Sequence, residues 1–67
     1  MAIARVTEIT SASKKSFEDA ISQGIARASK TLEQIQGAWI KEQKIVCDGA
    51  TIKEYRVTMK VTFVLKE

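Results

Sequence analysis

The chain has no proline and no histidine, a single cysteine and only three glycines among its 67 residues. One cysteine cannot form a disulfide within the chain, and an ordinary zinc site would lack ligands without histidine. Histidine is also the side chain that changes charge near neutral pH, so its absence argues against the usual acid–base catalysis. No apolar run approaches the roughly 18 residues of a membrane-spanning helix. These absences argue against disulfide-rich proteins, zinc-stabilised proteins and helical membrane proteins.

The length predicts one domain over residues 1–67 with a small core. A chain of this size buries only about 60% of the surface that its unfolded form exposes. Disulfides, metals or self-association usually reinforce such domains, and the composition leaves self-association as the expected remedy. A lone free thiol, Cys47, without a signal sequence is typical of a reducing compartment. We therefore expect a cytoplasmic homo-oligomer.

Charge and motifs give no sign of an enzyme or of a nucleic-acid-binding protein. The net charge is +3, and the basic residues are spread along the chain among acidic ones. They form no stripe, and stacking aromatics are too few for nucleic-acid binding. There is no nucleophile elbow and no glycine-rich phosphate loop. We expect neither catalytic residues nor a metal site within the chain, although Asp48 with Glu42 or Glu54 could ligate a cation across subunits.

The clearest periodic signal lies in residues 54–67 and predicts a strand. Apolar side chains occupy alternate positions: Tyr55, Val57, Met59, Val61, Phe63 and Leu65. Polar side chains fill the gaps: Arg56, Thr58, Lys60 and Thr62. Successive side chains of a strand point to opposite faces, so one face is apolar and the other polar. Another element must cover the apolar face.

A helix is predicted from Lys14 to about Ser29, with Ser13 as its cap. Apolar and small residues recur every three or four positions: Phe17, Ala20, Ile21, Gly24, Ile25 and Ala28. This spacing is typical of an amphipathic helix. Glycine destabilises a helix interior by about 1 kcal/mol relative to alanine, so we expect Gly24 to permit close approach to the sheet.

The other segments predict two further strands. Residues 2–11 form a first strand whose broken alternation indicates a bulge or a change of exposed face. Residues 30–35 form a turn, with a short helical piece over 31–34. Residues 36–46 form a second strand, and residues 47–51 a hairpin loop. The order β-α-β-β predicts an α+β fold, in which a three-stranded antiparallel sheet has the third strand in the middle and partly wraps one helix.

Trp39 is the most informative residue of the second strand. Strict alternation puts Trp39 on one face of the strand with Gly37, Lys41 and Gln43. The opposite face then consists of Ala38, Ile40, Glu42 and Lys44. If Ile40 packs toward the helix, Trp39 lies on the side that the helix leaves uncovered, near Arg56 and Thr58. A large aromatic residue there is either an anchor of a subunit interface or a stacking platform for a planar ligand.

The chain resembles the dodecins in its length, its β-α-β-β order and two segments. These are the helix residues Ala20, Ile21 and 24–28, and the terminal residues 57–65. The resemblance implies a hollow homododecamer in which each sheet wraps its own helix. It also implies binding of flavins in pairs, such as riboflavin or FMN, with coenzyme A as a further ligand of some members. Ligand storage and protection against flavin photochemistry are the implied roles.

Two positions depart from the pattern of the flavin-binding dodecins. The resemblance places the usual stacking Trp at Gly37 and the usual hydrogen-bonding Gln at Arg56, while Glu42 keeps the acidic position. Some dodecin-like proteins lack the aromatic residue and resemble this chain in Glu42–Gln43 and Tyr55–Arg56. Cation binding is suggested for that branch.

Two functional interpretations follow. In the first, the chain forms a dodecameric small-ligand binding and storage protein with a pocket altered from the flavin type, involving Gly37, Trp39, Glu42, Gln43 and Arg56. Trp39 would then provide a displaced platform, and Arg56 would bind an anionic group. In the second, the chain forms a structural or cation-binding assembly, in which Arg56 and Glu42 pair across an interface.

Overall fold

The computed structural model describes residues 3–65, which contain one helix and three strands. The strands are β1 (Ile3–Ser13), β2 (Ile35–Asp48) and β3 (Thr51–Leu65), and the helix is α1 (Phe17–Ala28). The predicted β-α-β-β order is confirmed. The predicted start of the first strand at Ala2 and the predicted end of the third at residues 66–67 lie outside the described residues.

The sheet has the order β1-β3-β2, and β3 is antiparallel to both of its neighbours. Because the crossover through α1 makes β1 and β2 parallel to each other, only the central position of β3 gives a fully antiparallel sheet. The predicted topology is confirmed. The pairing of β1 with β3 runs from Ile3 to Ser13 without a register shift. The predicted bulge or change of exposed face is therefore wrong. Ile9 lies on the helix side, opposite Met59, and the exposed Val6 lies on the other side, opposite Thr62.

The core lies between α1 and the apolar face of β3. Val57, Met59 and Val61 have no solvent exposure, and Phe63 is 9% exposed. At one end of this row, the Tyr55 ring meets Phe17 of the helix edge to face, with ring centroids 5.2 Å apart. Full burial of each large apolar side chain stabilises the fold by about 1.5–3 kcal/mol. The apolar face predicted from alternation is thus the core face as far as Phe63, and Leu65 remains exposed.

The helix begins later than predicted, because Ser16 and not Ser13 is its N-cap. The Ser16 side chain accepts a hydrogen bond from the backbone N–H of Asp19 at 3.0 Å, which satisfies one of the free N–H groups of the first turn. Ser13 is buried at the end of β1, where its hydroxyl donates to Asp19 Oδ2 at 2.5 Å. Both serines therefore contribute to the start of α1, but Ser13 does so from the sheet.

The predicted apolar stripe of the helix faces the sheet. Ala20, Gly24 and Ala28 are buried, and Phe17, Ile21 and Ile25 pack around the core. A Cβ atom added at Gly24 would lie 2.7 Å from Met59 Cε and 3.0 Å from Ser11 Cβ. Such distances are too short for ordinary contacts, so Gly24 allows the close approach of α1 to β1 and β3.

The connection from α1 to β2 contains no helical piece over residues 31–34, contrary to the prediction. Gln34 has φ +51°, which is outside the right-handed helical region. Its carbonyl oxygen accepts from the Val64 N–H at 3.1 Å, so the connection is tied to β3 instead. Leu32 packs against the core from this connection.

The hairpin between β2 and β3 has longer strands and a shorter loop than predicted. Asp48 pairs with Thr51, which leaves only Gly49 and Ala50 as loop residues. Gly49 has φ +61°, which glycine adopts without the steric penalty of a Cβ. The hairpin gives the molecule an extent of 51 Å along its longest axis.

Candidate functional site

The polar side of β3 and its cross-strand partners form the surface that α1 leaves uncovered, here called the helix-free face. Residues directly opposite each other in an antiparallel pair project from the same side of the sheet. The pairing therefore defines the face by four rows: Ala12–Arg56–Lys44, Thr10–Thr58–Glu42, Glu8–Lys60–Trp39 and Val6–Thr62–Gly37. Thr10 and Thr58 also share a side-chain hydrogen bond of 3.3 Å. The face is thus a polar, charged floor with one large aromatic residue.

Trp39 lies on the helix-free face, as predicted, and it is 70% exposed. Its cross-strand neighbour is Lys60. Gly37 lies on the same strand and the same face, about 7 Å away at two residues of strand rise. A Cβ atom at Gly37 would meet no other atom within 4 Å. The indole therefore stands beside open space above Gly37.

Because β2 has a β-bulge at Lys41, the residues that follow it lie on the opposite faces from those that strict alternation predicts. The register shifts between Ile40 and Glu42, so the alternation of β2 changes phase there. Glu42 is opposite Thr58 and joins Trp39 on the helix-free face, although strict alternation put it on the other side. Gln43 is opposite Val57 and lies on the helix side, so its predicted place beside Trp39 is wrong. Lys44 likewise moves to the helix-free face.

Arg56 is on the helix-free face but is not a neighbour of Trp39. It is opposite Lys44, four residues along β3 from Lys60, which corresponds to about 13 Å of strand. Its Nε donates to Glu54 Oε1 at 2.6 Å. The expected proximity of Arg56 to Trp39 is therefore wrong within one chain. The predicted pairing of Arg56 with Glu42 across an interface stays a prediction.

The row that contains Trp39 has a specific charge arrangement. Glu8 and Trp39 lie on opposite sides of Lys60. Lys41 Nζ, from the bulge, lies 3.2 Å from Glu8 Oε1 and 3.5 Å from Glu8 Oε2. Among residues 3–65, no carboxylate lies within 4 Å of the Lys60 ammonium. Lys41 thus neutralises Glu8, and Lys60 remains as a half-buried cation beside the indole.

The structure also contains a cleft on the opposite side of the molecule, between α1 and β1. Its volume is about 520 Å³. Its polar lining residues are Thr7, Thr10, Ser11, Gln23, Arg27 and Thr31. None of the predicted site residues lines it.

Metal and membrane features are absent from the part of the chain that the structure describes. Residues 3–65 contain no group of three or more His, Cys, Asp or Glu side chains arranged to hold a metal ion. No helix in the same range is long and apolar enough to cross a membrane.

The dodecin family model matches residues 3–66, nearly the whole sequence. The chain belongs to the dodecin family. A dodecin from Thermus thermophilus is 37% identical over 60 residues, which is 90% of this chain and 87% of the relative. The family assignment made from the sequence is confirmed.

Solved dodecins have the same fold. Dodecin from Streptomyces davaonensis is 36% identical and superposes with a TM-score of 0.93 over 98% of this chain and 97% of its own. The calcium dodecin of Mycobacterium tuberculosis is 28% identical, with a TM-score of 0.83 over 96% of this chain and 91% of its own. The crystal structure of that protein is described as containing a novel calcium-binding site. The fold class predicted from the sequence is confirmed.

Proposed function

We propose that the chain is a subunit of a homododecamer that binds and stores a small planar ligand of the flavin, FMN or coenzyme A class. The ligand would lie on the helix-free face, between subunits, in a pocket altered from the usual flavin type. The observation that carries this proposal is the 70% exposure of Trp39 on a sheet face that no other part of residues 3–65 covers. No catalytic role is proposed.

Exposed apolar side chains support assembly. Ile40, Ile45 and Ile52 are 42–45% exposed, and all three belong to β2 or to the start of β3, beyond the reach of α1. The core cluster of fully buried residues is small: Ala20, Val57, Met59 and Val61. A domain with so small a core gains stability when further copies bury its remaining apolar surface. A closed assembly of identical subunits would supply that burial.

Ligand binding is supported by the chemistry around Trp39. An indole ring provides a large flat surface on which another planar ring can stack, typically with centroids 4.5–7 Å apart. Gly37 leaves open space next to the ring, so a ligand can approach along β2. Thr62 and Lys60 of β3 provide a polar floor opposite these two residues. Glu42 flanks the site at the next row, whereas Gln43 faces the helix side and is not part of the proposed site.

A fluorescence titration tests the proposal. Purified protein is titrated with riboflavin, FMN and coenzyme A while the emission of Trp39, the only tryptophan, is followed. Quenching that saturates with at least one ligand is expected, because a stacked ring perturbs the indole. Binding to two variants is then followed through the emission of the flavin itself. Trp39→Leu should lose flavin binding, and Tyr55→Phe, which changes a residue on the helix side, should retain it. No response to any of the three ligands would refute the proposal.

A cation-binding assembly is the second candidate. The calcium dodecin relative, 29% identical over 66 residues, favours it by its name. Since residues 3–65 of a single chain bring together no three acidic side chains, the ligands would come from several subunits. Glu42, Glu54 and Asp48 are the candidates for such a shared site. Calorimetric titration with Ca²⁺ of the wild type and of Glu42→Gln tests it, and heat that is equal in both proteins would exclude Glu42.

A further inference from the structure

Trp39 and Lys60 face each other on adjacent strands of the helix-free face. Directly opposed residues of an antiparallel pair have Cβ atoms about 4.5–5.5 Å apart. The lysine stem is long, so its ammonium can reach past the indole edge to an atom outside the ring plane. A ligand stacked on Trp39 would therefore place its substituents within reach of Lys60.

Lys60 is available for an external anion because the neighbouring carboxylate is already paired. Glu8 is opposite Lys60 on β1, but both of its carboxylate oxygens lie within 3.5 Å of Lys41 Nζ. The Lys41 side chain reaches Glu8 from the bulge of β2, across the central strand. Without that pair, Glu8 would be the natural partner of Lys60. The ion pair between Lys41 and Glu8 thus leaves the positive charge of Lys60 at the centre of the row.

The other cations of the helix-free face are less suited to this role. Arg56 is bound to Glu54 at 2.6 Å and lies about 13 Å along β3 from the Trp39 row. Lys44 is opposite Arg56 and is equally distant. Lys60 is half-buried, whereas Arg56 and Lys44 are exposed, so the charge of Lys60 is screened less by solvent.

We propose that Lys60 is the specificity-determining residue of this face and binds the phosphate or carboxylate of a ligand whose ring stacks on Trp39. The site then selects anionic planar ligands over neutral ones of the same ring system. The inference rests on the proposed ligand-binding function and specifies its ligand class. Lysine acts here as a compact point charge, and the Thr62 hydroxyl, on the same face two residues away, can donate to the same anion.

Riboflavin and FMN form a matched pair of probes, because they differ only in the phosphate. Titrations of the wild-type assembly, followed by flavin emission, should show FMN binding at least tenfold more tightly than riboflavin at low salt. Lys60→Gln should reduce FMN affinity about tenfold and leave riboflavin affinity within twofold. Lys60→Arg keeps the charge and should retain the preference. Lys44→Gln, which removes the same charge about 13 Å away along the strands, should change neither affinity by more than twofold.

The outcomes separate this inference from the proposed function. Equal affinities of the wild type for the two flavins would overturn the role of Lys60 while leaving ring binding intact. Equal losses of FMN affinity in Lys60→Gln and Lys44→Gln would overturn it as well, because the effect would then come from general surface charge. Absence of binding for both flavins would overturn the inference, and the proposed function would be refuted with it if coenzyme A also gave no response. The inference is supported if Lys60→Arg retains the preference for FMN over riboflavin and Lys60→Gln loses it.

Discussion

Lys41 spans the sheet from β2 to β1 and places its Nζ atom 3.2 Å from Glu8 Oε1. This ion pair crosses the central strand, and Lys41 is the residue at the bulge of β2. Both side chains are 48% exposed. The pair therefore contributes to the charge distribution of the helix-free face more than to the stability of the fold.

Removal of the Lys41 charge should affect ligand binding on the helix-free face more than the stability of the fold. Exposed ion pairs contribute about 0–1 kcal/mol, so Lys41→Gln should lower the free energy of unfolding by less than about 1 kcal/mol. The freed Glu8 carboxylate can then pair with Lys60, and FMN affinity should fall several-fold. Denaturant unfolding and FMN titration measure the two quantities. Lys53→Gln, at the hairpin end, makes the same charge change and should leave FMN affinity unchanged; equal losses in both variants would contradict this explanation.

Gly24 should be intolerant of even one added methyl group. Gly24→Ala gains about 1 kcal/mol of helix propensity, but the new Cβ would lie 2.7 Å from the buried Met59 Cε and 3.0 Å from Ser11 Cβ, which is attached directly to the β1 backbone. Overpacking of a filled core typically destabilises by about 1–3 kcal/mol, so we expect a net loss of about 1 kcal/mol in denaturant unfolding. Gly37→Ala, where the Cβ has open space, is the matched control and should be nearly neutral. A stabilised Gly24→Ala protein would show that α1 can move away from the sheet.

Gly37 should accept the aromatic ring that the resemblance to flavin-binding dodecins implies for this position. Since a side chain at Gly37 meets nothing within 4 Å, Gly37→Trp should fold normally and add a second stacking surface about 7 Å from Trp39. Riboflavin affinity should rise at least tenfold, as measured by flavin quenching. Gly37→Ala makes the same backbone change without a ring and should bring no gain. A folded Gly37→Trp protein with unchanged affinity would place the ligand elsewhere.

The helix cap should be sensitive to the loss of one hydroxyl. Ser16→Ala removes the acceptor for the Asp19 N–H, and loss of such a cap destabilises by about 1 kcal/mol. Ser22, exposed on the same helix, provides a control that lacks this role, and Ser22→Ala should change stability by less than about 0.5 kcal/mol. Thermal unfolding of the two variants under identical conditions measures the difference. Equal midpoints would contradict the assignment of Ser16 as the cap.

Alternation was sufficient to predict the central strand and its core face. Because β3 is hydrogen-bonded on both sides and covered by α1, its apolar residues had only one face on which to be buried. The spacing of Ala20, Gly24 and Ala28 likewise predicted the buried stripe of the helix. The cap was assigned to the wrong serine, since Ser13 and Ser16 both precede the apolar stripe and only the end of β1 distinguishes them.

The candidate site was predicted less well, because a single bulge changes the face of each residue that follows it. Strict alternation placed Gln43 beside Trp39 and Glu42 on the opposite side, and both assignments are wrong. The pairing of Trp39 with Lys60 does have a signal in the sequence. Counting outward from the Asp48–Thr51 pair makes them neighbours, since the bulge residue Lys41 on β2 is compensated by the extra residue Lys53 on β3.

Native mass spectrometry of the purified assembly with added FMN tests the central claim most directly, because it reports copy number and bound ligand in one spectrum. The account predicts a complex of twelve chains that carries FMN and loses it in the Trp39→Leu variant. A monomer, or an assembly of any size that gains no FMN mass at saturating ligand, would contradict it.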